Sequence, residues 1–429
     1  MHKLGLSLSG GGYRAAAFHL GTLKKLNELK ILDKVEVLST ISGGSITGAY
    51  YCINSKSFNE FENYMVNTIE NKNVIRSVLL SFSFLKLLLF VLVFLSIATY
   101  LLFTPYAWLS IPVLIVMVFF LLKYQFAIFP VSKEIEKAYD NFYYSNKTLK
   151  DLNDNPILAI NSTNLQTARQ FTFSKERMDD SAYAFMQPPI YFKNKDFPIA
   201  RAVAASSCVP FAFTPISIKK EYFENQDDYK KINPKLVDGG VYDNQGIHKL
   251  TQEKSSYECE MIITSDAGNR LPFAGFYNNT IILLIRTVDV FMSRIESFQM
   301  VQNLYKNTST VNKQIAYLSL GWDIENCIPG FFNNLVDGNI TKEVVAALQL
   351  KPEWVEHPEQ YKSEIYQHLE KFVDYPKISA NNLTKEEMKV ARSVGTNLTP
   401  LSKKQISCLM RQAENLTELQ VKLYCPTLI

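Results

Sequence analysis

The stretch LGLSLSGGGYRAAAFHLG, residues 4–21, decides the fold. Residues 4–8 predict a strand, the three glycines predict a turn, and apolar residues from Ala15 to Leu29 recur near the period of a helix. The stretch VEVLSTISGGSITGAYYCI, residues 35–53, repeats this order, with the helix expected to begin after Ser45. Two strand–glycine turn–helix units predict an α/β fold with parallel strands.

Further along the chain, the same patterns predict more strands and helices. The strands expected are ILAINST (157–163), KLV (235–237) and EMIITS (260–265). Helices are expected over IARAVAASSC (199–208), whose residues are mostly small, and near the end of the chain over 343–348, 363–372 and 403–419. The last part of the chain is therefore expected to be mostly helical.

Composition narrows the class of protein. The chain has 429 residues, of which 47% are hydrophobic and 20% charged, which argues against wholesale disorder. A net charge of +4 without a dense basic stripe argues against a nucleic-acid partner. The six cysteines and five histidines are scattered, without metal-ligand spacing, so we expect free thiols, no metal site and no cofactor. No signal peptide precedes the first strand, so the expected location of the body is cytosolic.

Residues 78–130 differ in kind from the rest. From Leu87 to Leu122 the chain carries no charge, which is too long for one soluble core helix. Pro105 predicts a turn between two arms, 78–103 and 106–130. Each arm exceeds the roughly 20 residues that cross a bilayer, so we expect a transmembrane hairpin.

Basic residues set the expected orientation of this hairpin. Lys86 and Lys123 would lie at the same depth near its open ends, and Lys72 and Arg76 flank its entry, whereas the turn carries no charge. By the positive-inside tendency the rest of the protein faces the cytosol. Two alternatives stay open, namely a hydrophobic hairpin buried in a soluble domain and a shallower monotopic hairpin.

The glycine turn after the first strand has two possible interpretations. Gly10, Gly11 and Gly12 allow successive backbone N–H groups to converge on a phosphate or an oxyanion, and Arg14 could add positive charge or brace the loop. The spacing from Gly10 to Ala15 also satisfies a dinucleotide-binding fingerprint. That alternative expects an acidic residue at the end of the second strand, but this strand ends in TIS.

The second glycine turn predicts a nucleophile. Ser45 follows Gly43 and Gly44 on a strand-to-helix turn, as in the GxSxG nucleophile elbow. The match is imperfect because Thr47 stands where the last glycine belongs and Gly48 comes one residue later. The alternative is a helix-capping serine.

An aspartate on a third glycine turn is the expected general base. Asp238 lies between a short apolar strand and Gly239-Gly240, although a plain turn aspartate fits the same pattern. His19 is expected to be structural, and His248 is the one histidine placed for a Ser-His-Asp triad. An aspartate acting as base needs a pKa raised by partial burial.

Together these motifs resemble the patatin-like phospholipase family. The resemblance rests on SGGGYRAAAFHLG, SGGSITG, ARAVAASSCVPFAFTPI and LVDGGVYDNQG, which stand in the family's order. It implies a three-layer α/β/α sheet that cleaves fatty acyl esters through a Ser45–Asp238 dyad and an acyl-enzyme. It also implies that the amides of Gly10, Gly11 and Gly12, helped by Arg14, hold the oxyanion, with Gly43, Gly44 and Gly48 in the elbow and Gly239 and Gly240 in the acid loop.

The expected organisation follows from these motifs and the hairpin. A catalytic domain in two parts, 1–77 and 131–300, is interrupted by the hairpin 78–130, and a mostly helical part, 301–429, packs on it. The expected function is a membrane-anchored, phospholipase A-like hydrolase, with membrane phospholipids as substrate and anchor and a homo-oligomer or regulatory partner left open. Two other functions stay open: a catalytically silent membrane sensor or interaction platform, and a dinucleotide-dependent oxidoreductase using the Gly10–Ala15 loop.

Overall fold

A computed structural model describes residues 3–54, 57–269 and 277–429. The strands are β1 (Leu4–Leu8), β2 (Val35–Ile41), β3 (Ile157–Asn164), β4 (Arg169–Phe173), β5 (Met178–Asp180), β6 (Ile216–Ser217), β7 (Lys235–Asp238), β8 (Met261–Asp266) and β9 (Gln314–Ser319). The helices of the first half are α1 (Gly12–Glu28), α2 (Ser42–Ile53), α3 (Phe58–Asn71), α4 (Val74–Leu79), α5 (Phe82–Leu102), α6 (Ser110–Ile128), α7 (Val131–Tyr139), α8 (Ser181–Ala184) and α9 (Ile199–Ser206). Those of the second half are α10 (Gly240–Asp243), α11 (His248–Thr251), α12 (Thr280–Met300), α13 (Cys327–Val336), α14 (Lys342–Ala347), α15 (Pro352–Glu356), α16 (Lys362–Val373), α17 (Tyr375–Ala380), α18 (Lys385–Ser393) and α19 (Lys403–Tyr424).

One mixed sheet organises the molecule, and it confirms the α/β prediction. The strand order is β5-β4-β3-β2-β1-β8-β9, and β7 pairs with β3 and with β6. Strands β3, β2, β1, β8 and β9 run parallel, whereas β4, β5, β6 and β7 join by antiparallel pairing. Strand β9 comes from the part of the chain expected to be mostly helical, so that part also completes the sheet.

Both faces of the sheet are buried, as the apolar runs of its parallel strands require. Leu4, Leu6 and Leu8 of β1 belong to the main core, which also holds apolar residues of α1 and α19. On β2 and β8, Val37 and Ile262 belong to a second, smaller core. Because successive side chains of a strand point to opposite faces, this division places one core on each side of the sheet.

Helices α5 and α6 occupy the region predicted as a hairpin, and their surface is apolar. They pack on each other, and the Ser110 hydroxyl donates to the Ala98 carbonyl at 2.9 Å. Their open ends meet: the Phe84 and Phe129 rings are 5.6 Å apart, and the Ser83 hydroxyl donates to Glu134 Oε1 at 2.7 Å. Both helices are long and apolar enough to cross a membrane, and most of their large side chains are exposed, so they do not form a buried hairpin.

Candidate active site

The two predicted glycine turns lie side by side. Strands β1 and β2 are parallel, and Leu8 pairs with Thr40, so the loops that follow them leave the same edge of the sheet. The Gly44 amide donates to the Ser9 carbonyl at 3.1 Å, which ties the two loops together. A functional site at this edge is what the carboxyl ends of parallel strands commonly provide.

Ser42, rather than Ser45, stands at the sharp bend between β2 and α2. Its φ of 48° lies in the left-handed region, which is strained for a residue with a side chain. A Cβ added at Gly44 would lie 2.4 Å from the Leu8 carbonyl oxygen, so only glycine allows this close approach. A strained serine on a strand-to-helix turn is the signature of a nucleophile elbow.

The expectation that Ser45 is the exposed hydroxyl of the elbow is therefore corrected. Helix α2 begins at Ser42, not after Ser45, so Ser45 lies one turn inside the helix and is fully buried. Its hydroxyl donates to Thr40 Oγ1 at 3.0 Å and lies 2.9 Å from Ser206 Oγ. Among the described contacts, none joins Ser45 to Asp238.

A shift of the motif by three residues explains this result. In the register Thr40-Ile41-Ser42-Gly43-Gly44 the last glycine of GxSxG is present, and Thr40 replaces the first. Thr47 then has no role in the elbow, and its hydroxyl donates to the Ala16 carbonyl at 3.1 Å. Both registers have one mismatch, so the motif alone does not choose between them, whereas the end of the strand does.

Asp238 ends β7 directly beside Ser42. Its side chain is buried, it accepts the Gly240 amide at 2.7 Å, and it lies within interaction range of the Ser42 side chain. Burial raises the pKa of Asp238 to about 6, and the Gly240 amide and the Ser42 side chain partly oppose the rise because they favour the carboxylate. The carboxylate is therefore available near neutral pH and basic enough to accept a proton.

Backbone contacts hold the acid loop in place. The Asp238 amide donates to the Cys208 carbonyl at 2.8 Å, and the Gly239 amide donates to the Ser206 carbonyl at 3.1 Å. A Cβ on Gly239 would lie 2.4 Å from the Asn161 carbonyl oxygen. The small-residue helix α9 thus fixes the aspartate through its C-terminal end.

The glycine loop offers two free amides rather than three. The Gly10 amide donates to the Asn244 carbonyl at 3.0 Å, which corrects the expectation that it serves the oxyanion. Within the described residues, the amides of Gly11 and Gly12 have no acceptor, as expected at the first turn of a helix. A Cβ on Gly10 would lie 3.2 Å from Ser42 Cβ, so this loop adjoins the serine.

Arg14 adds positive charge beside these amides. Its Nη2 would lie 3.4 Å from a Cβ on Gly11, and Nη1 donates to the Val394 carbonyl at 3.4 Å. Its Nε is buried and has no hydrogen-bond partner among the described residues. Burial lowers the pKa of Arg14, and the nearby Asp266 carboxylate opposes this.

Neither of the two histidines near the motifs reaches the Ser42–Asp238 pair. His19 is buried between Ser265 Oγ, at 2.8 Å, and the Ser9 carbonyl, at 2.9 Å, and burial lowers its pKa to about 4. It braces the glycine loop as a neutral ring. His248 lies 3.4 Å from the Tyr242 hydroxyl, through Nε2, and its backbone amide donates to Asp243.

Sequence reasoning missed two residues that organise the site. The Ser206 hydroxyl accepts the Ser42 amide at 2.9 Å and donates to the Asn161 carbonyl at 2.7 Å. Asn244 contacts both loops, because its Oδ1 lies near the Cα of Gly10 and of Gly240. The neighbouring residues, AVAASS and VYDNQG, did not indicate these roles, because each residue makes its contacts with segments distant in the chain.

Comparison with known families fits this geometry. The family model described as patatin-like phospholipase matches residues 6–251, more than half of the chain. The chain belongs to the patatin-like phospholipase family. Membership implies lipid acyl hydrolysis in general, and it removes the reason for interpreting the Gly10–Ala15 loop as a dinucleotide site.

Two further comparisons add little to the family assignment. The crystal structure of VipD from Legionella pneumophila is similar to this chain at 15% identity, covering 99% of this chain and 86% of that one with a TM-score of 0.33. Such a score supports no detailed argument. A comparison with curated proteins gives no match.

Proposed function

We propose that this protein is a membrane-anchored lipid acyl hydrolase, phospholipase A-like, whose nucleophile is Ser42 and whose general base is Asp238. The observation that carries the proposal is the position of the strained, elbow-positioned Ser42 beside a buried aspartate with a pKa of about 6. A hydroxyl is a weak nucleophile until an adjacent base accepts its proton. The Asp238 carboxylate is that base.

The reaction proceeds in two halves. Asp238 takes the proton of Ser42 as Oγ attacks the ester carbonyl, and the tetrahedral intermediate collapses when Asp238 returns this proton to the departing lysophospholipid oxygen. Water then attacks the acyl-enzyme, Asp238 accepts its proton, and the fatty acid leaves as Ser42 Oγ is reprotonated. The same carboxyl therefore acts as base and acid in turn.

The free amides of Gly11 and Gly12 stabilise the negative oxygen that forms in each half. They lie at the N-terminus of α1, where the helix dipole adds partial positive charge. The buried Arg14 guanidinium beside Gly11 strengthens this field in a site with little water. One preorganised donor of this kind is typically worth about 10²–10³ in rate.

The products test the proposed chemistry. The purified full chain, incubated with phospholipid vesicles in H₂¹⁸O, should release lysophospholipid and fatty acid, and the ¹⁸O should appear in the fatty acid. The Ser42→Ala variant should release neither product. Diacylglycerol or phosphatidate as the product would overturn the acyl-hydrolase proposal, and no product from any lipid class would favour the silent-platform alternative.

The proposed anchor is the α5–α6 hairpin, with the catalytic body on the cytosolic side. Large exposed apolar side chains cover both helices, and water would penalise that surface heavily. The basic residues Lys72, Arg76, Lys86 and Lys123 cluster toward the open ends, as the positive-inside tendency requires of cytosolic flanks. Ser132, just after the hairpin, is within 3.4 Å of Cys208 Sγ, so the anchor lies beside the acid loop.

Deletion of the hairpin tests the anchor. Because Phe84 and Phe129 are neighbours, a short Gly/Ser linker can replace residues 82–128 without separating α4 from α7. The full chain should resist extraction from membranes by alkaline carbonate, whereas the deletion variant should be extracted and should still hydrolyse a short-chain ester. A deletion variant that resists carbonate would contradict the anchor. Loss of short-chain hydrolysis in a folded variant would make the hairpin part of the catalytic architecture.

A further inference from the structure

Helix α12 is apolar on the side that it exposes. Its half-buried side is mixed, with Asp289 and Glu296 beside Met292 and Ile295. The opposite side, which we call the outward face, carries exposed Leu283, Leu284, Val290, Phe291 and Phe298. Water on that side would be unfavourable, because a surface helix places its apolar stripe toward the core.

Polar contacts explain why the charged side faces inward. Glu296 hydrogen bonds with Asp266 at the end of β8, and burial next to this second carboxyl raises the pKa of Glu296 to about 8. This polar contact and the packing of Met292 near Gly240 both lie on the half-buried side of the helix. Neither contact involves the outward face, which stays apolar and exposed.

The position of α12 links its outward face to the catalytic chemistry. Met292 Cε would lie 3.0 Å from a Cβ on Gly240, so the helix covers the loop that carries Asp238. On the other side of that loop, exposed Val209 and Phe211 follow Cys208, whose carbonyl accepts the Asp238 amide. Exposed apolar residues therefore lie near the acid loop, which adjoins α12 through Gly240 and the base of the hairpin through Cys208 and Ser132.

We propose that the outward face of α12 docks into the acyl region of the same bilayer that holds the hairpin and the lipid substrate. This inference rests on the proposed function and extends it, because it makes α12 a second membrane contact at the mouth of the active site. Five consecutive exposed apolar residues, Ile281–Ile285, follow Thr280 in the first turns of the helix. Arg294 is the one charged residue that α12 exposes, and its long stem allows its head to reach the phosphate level.

A second copy of the chain is the main competing occupant of this face. The bilayer is favoured because the acid loop contacts both α12, through Gly240, and the base of the hairpin, through Cys208, so both elements lie beside the site that must receive a lipid. The two occupants also differ in how a probe on α12 would be quenched.

A depth measurement separates these outcomes. All six natural cysteines are buried, so a bimane maleimide would label an introduced cysteine selectively. Phe291→Cys is the test position, and Phe372→Cys on α16, also an exposed phenylalanine, is the matched control. The labelled full chains are reconstituted in phosphatidylcholine–phosphatidylglycerol vesicles, with or without bromine on the acyl chains.

The expected result is quenching of the label at 291, but not at 372, by brominated acyl chains, with the reverse preference for aqueous iodide. Iodide quenching of both labels would overturn the proposal. So would protection of position 291 from both quenchers together with a doubled molecular mass, since that indicates a second copy. This readout does not depend on hydrolysis, so it can fail or succeed independently of the proposed function.

An activity ratio gives a second readout. The Leu284→Ser/Phe291→Ser variant should lose hydrolysis of vesicle phospholipid about tenfold more than hydrolysis of a dissolved short-chain ester, because docking on a bilayer scales with buried apolar area. The Phe372→Ser control should not change this ratio. An unchanged ratio in the double variant would contradict a role for α12 at the bilayer.

Discussion

Ser42 and Ser45 share one glycine turn but occupy different environments. Ser42 adopts a strained backbone conformation at the end of β2 and lies beside the Asp238 carboxylate. Ser45 is an ordinary residue of α2, fully buried, and its hydroxyl contacts Thr40 and Ser206. The difference teaches that the point where a strand ends, rather than the number of glycines nearby, decides which serine stands at the bend of the elbow.

The two serines are nevertheless connected. Ser45 lies within hydrogen-bond distance of Ser206, and Ser206 accepts the backbone amide of Ser42. We therefore expect Ser45 to act as a positioning residue, one step removed from the chemistry proposed for Ser42. Substituting Ser42 and Ser45 one at a time therefore distinguishes loss of the attacking hydroxyl from loss of a residue that positions it.

The largest expected effect is on the paired alanine variants. Ser42→Ala should lower kcat for a phospholipid by about 10³–10⁶, as loss of a nucleophile does in other serine hydrolases. Ser45→Ala should cost about tenfold or less, because it loosens Ser206 without removing a reacting atom. Steady-state kinetics on both variants measures the two losses. The reverse order would restore Ser45 as the nucleophile.

A smaller loss is expected from Arg14. Arg14→Met should lower kcat by about 10²-fold with little change in KM, because the guanidinium acts on charge that develops only in the transition state. Arg14→Lys should recover part of the rate. A change confined to KM would instead indicate that Arg14 binds the lipid head group.

The pH dependence of kcat/KM tests whether Asp238 is the base. Because Asp238 must be ionised to accept a proton and its pKa is about 6, kcat/KM should fall about tenfold per pH unit below that value. The measurement is a pH–rate profile on a dissolved short-chain ester, which avoids titration of the membrane. A rate that stays flat down to pH 4.5 would exclude Asp238 as the base.

The smallest expected effect is on the free energy of unfolding. Removing the charge of Asp238 should raise stability although it abolishes activity. The folded pKa of Asp238, about 6, exceeds its ordinary value of 3.8, so the native state keeps a proton that the unfolded chain releases between these pH values. Wild type therefore loses stability as the pH rises from about 4 to 6. Asp238→Asn should be inactive yet about 1–3 kcal/mol more stable at pH 7.5.

Thermal unfolding of detergent-solubilised wild type and Asp238→Asn at pH 4 and pH 7.5 tests the predicted difference in stability. The difference in Tm should be present at pH 7.5 and small at pH 4, because the native carboxyl is protonated at pH 4 and the unfolded chain has only partly released its proton. A variant that is less stable than wild type at both pH values would show that the carboxylate is stabilising.

Local patterns in the sequence predicted much of this site. The strand–glycine–helix order located the Gly10–Gly12 loop, the elbow and Asp238, because each depends on residues adjacent in the chain. The serine at the bend of the elbow was predicted one helical turn too late, since both GxSxG registers contain one mismatch. The sequence did not predict contacts with segments distant in the chain. The Asn244 carbonyl accepts the Gly10 amide, and the Ser206 hydroxyl accepts the Ser42 amide.

The most direct test of the central claim is the position of a covalent adduct. A fluorophosphonate probe reacts with an activated serine, and fragmentation of the labelled peptide that spans residues 42–45 distinguishes its two serines. We predict that wild type carries the adduct on Ser42 and that the Ser45→Ala variant still carries it. An adduct on Ser45, or labelling that persists in Ser42→Ala, would contradict the account.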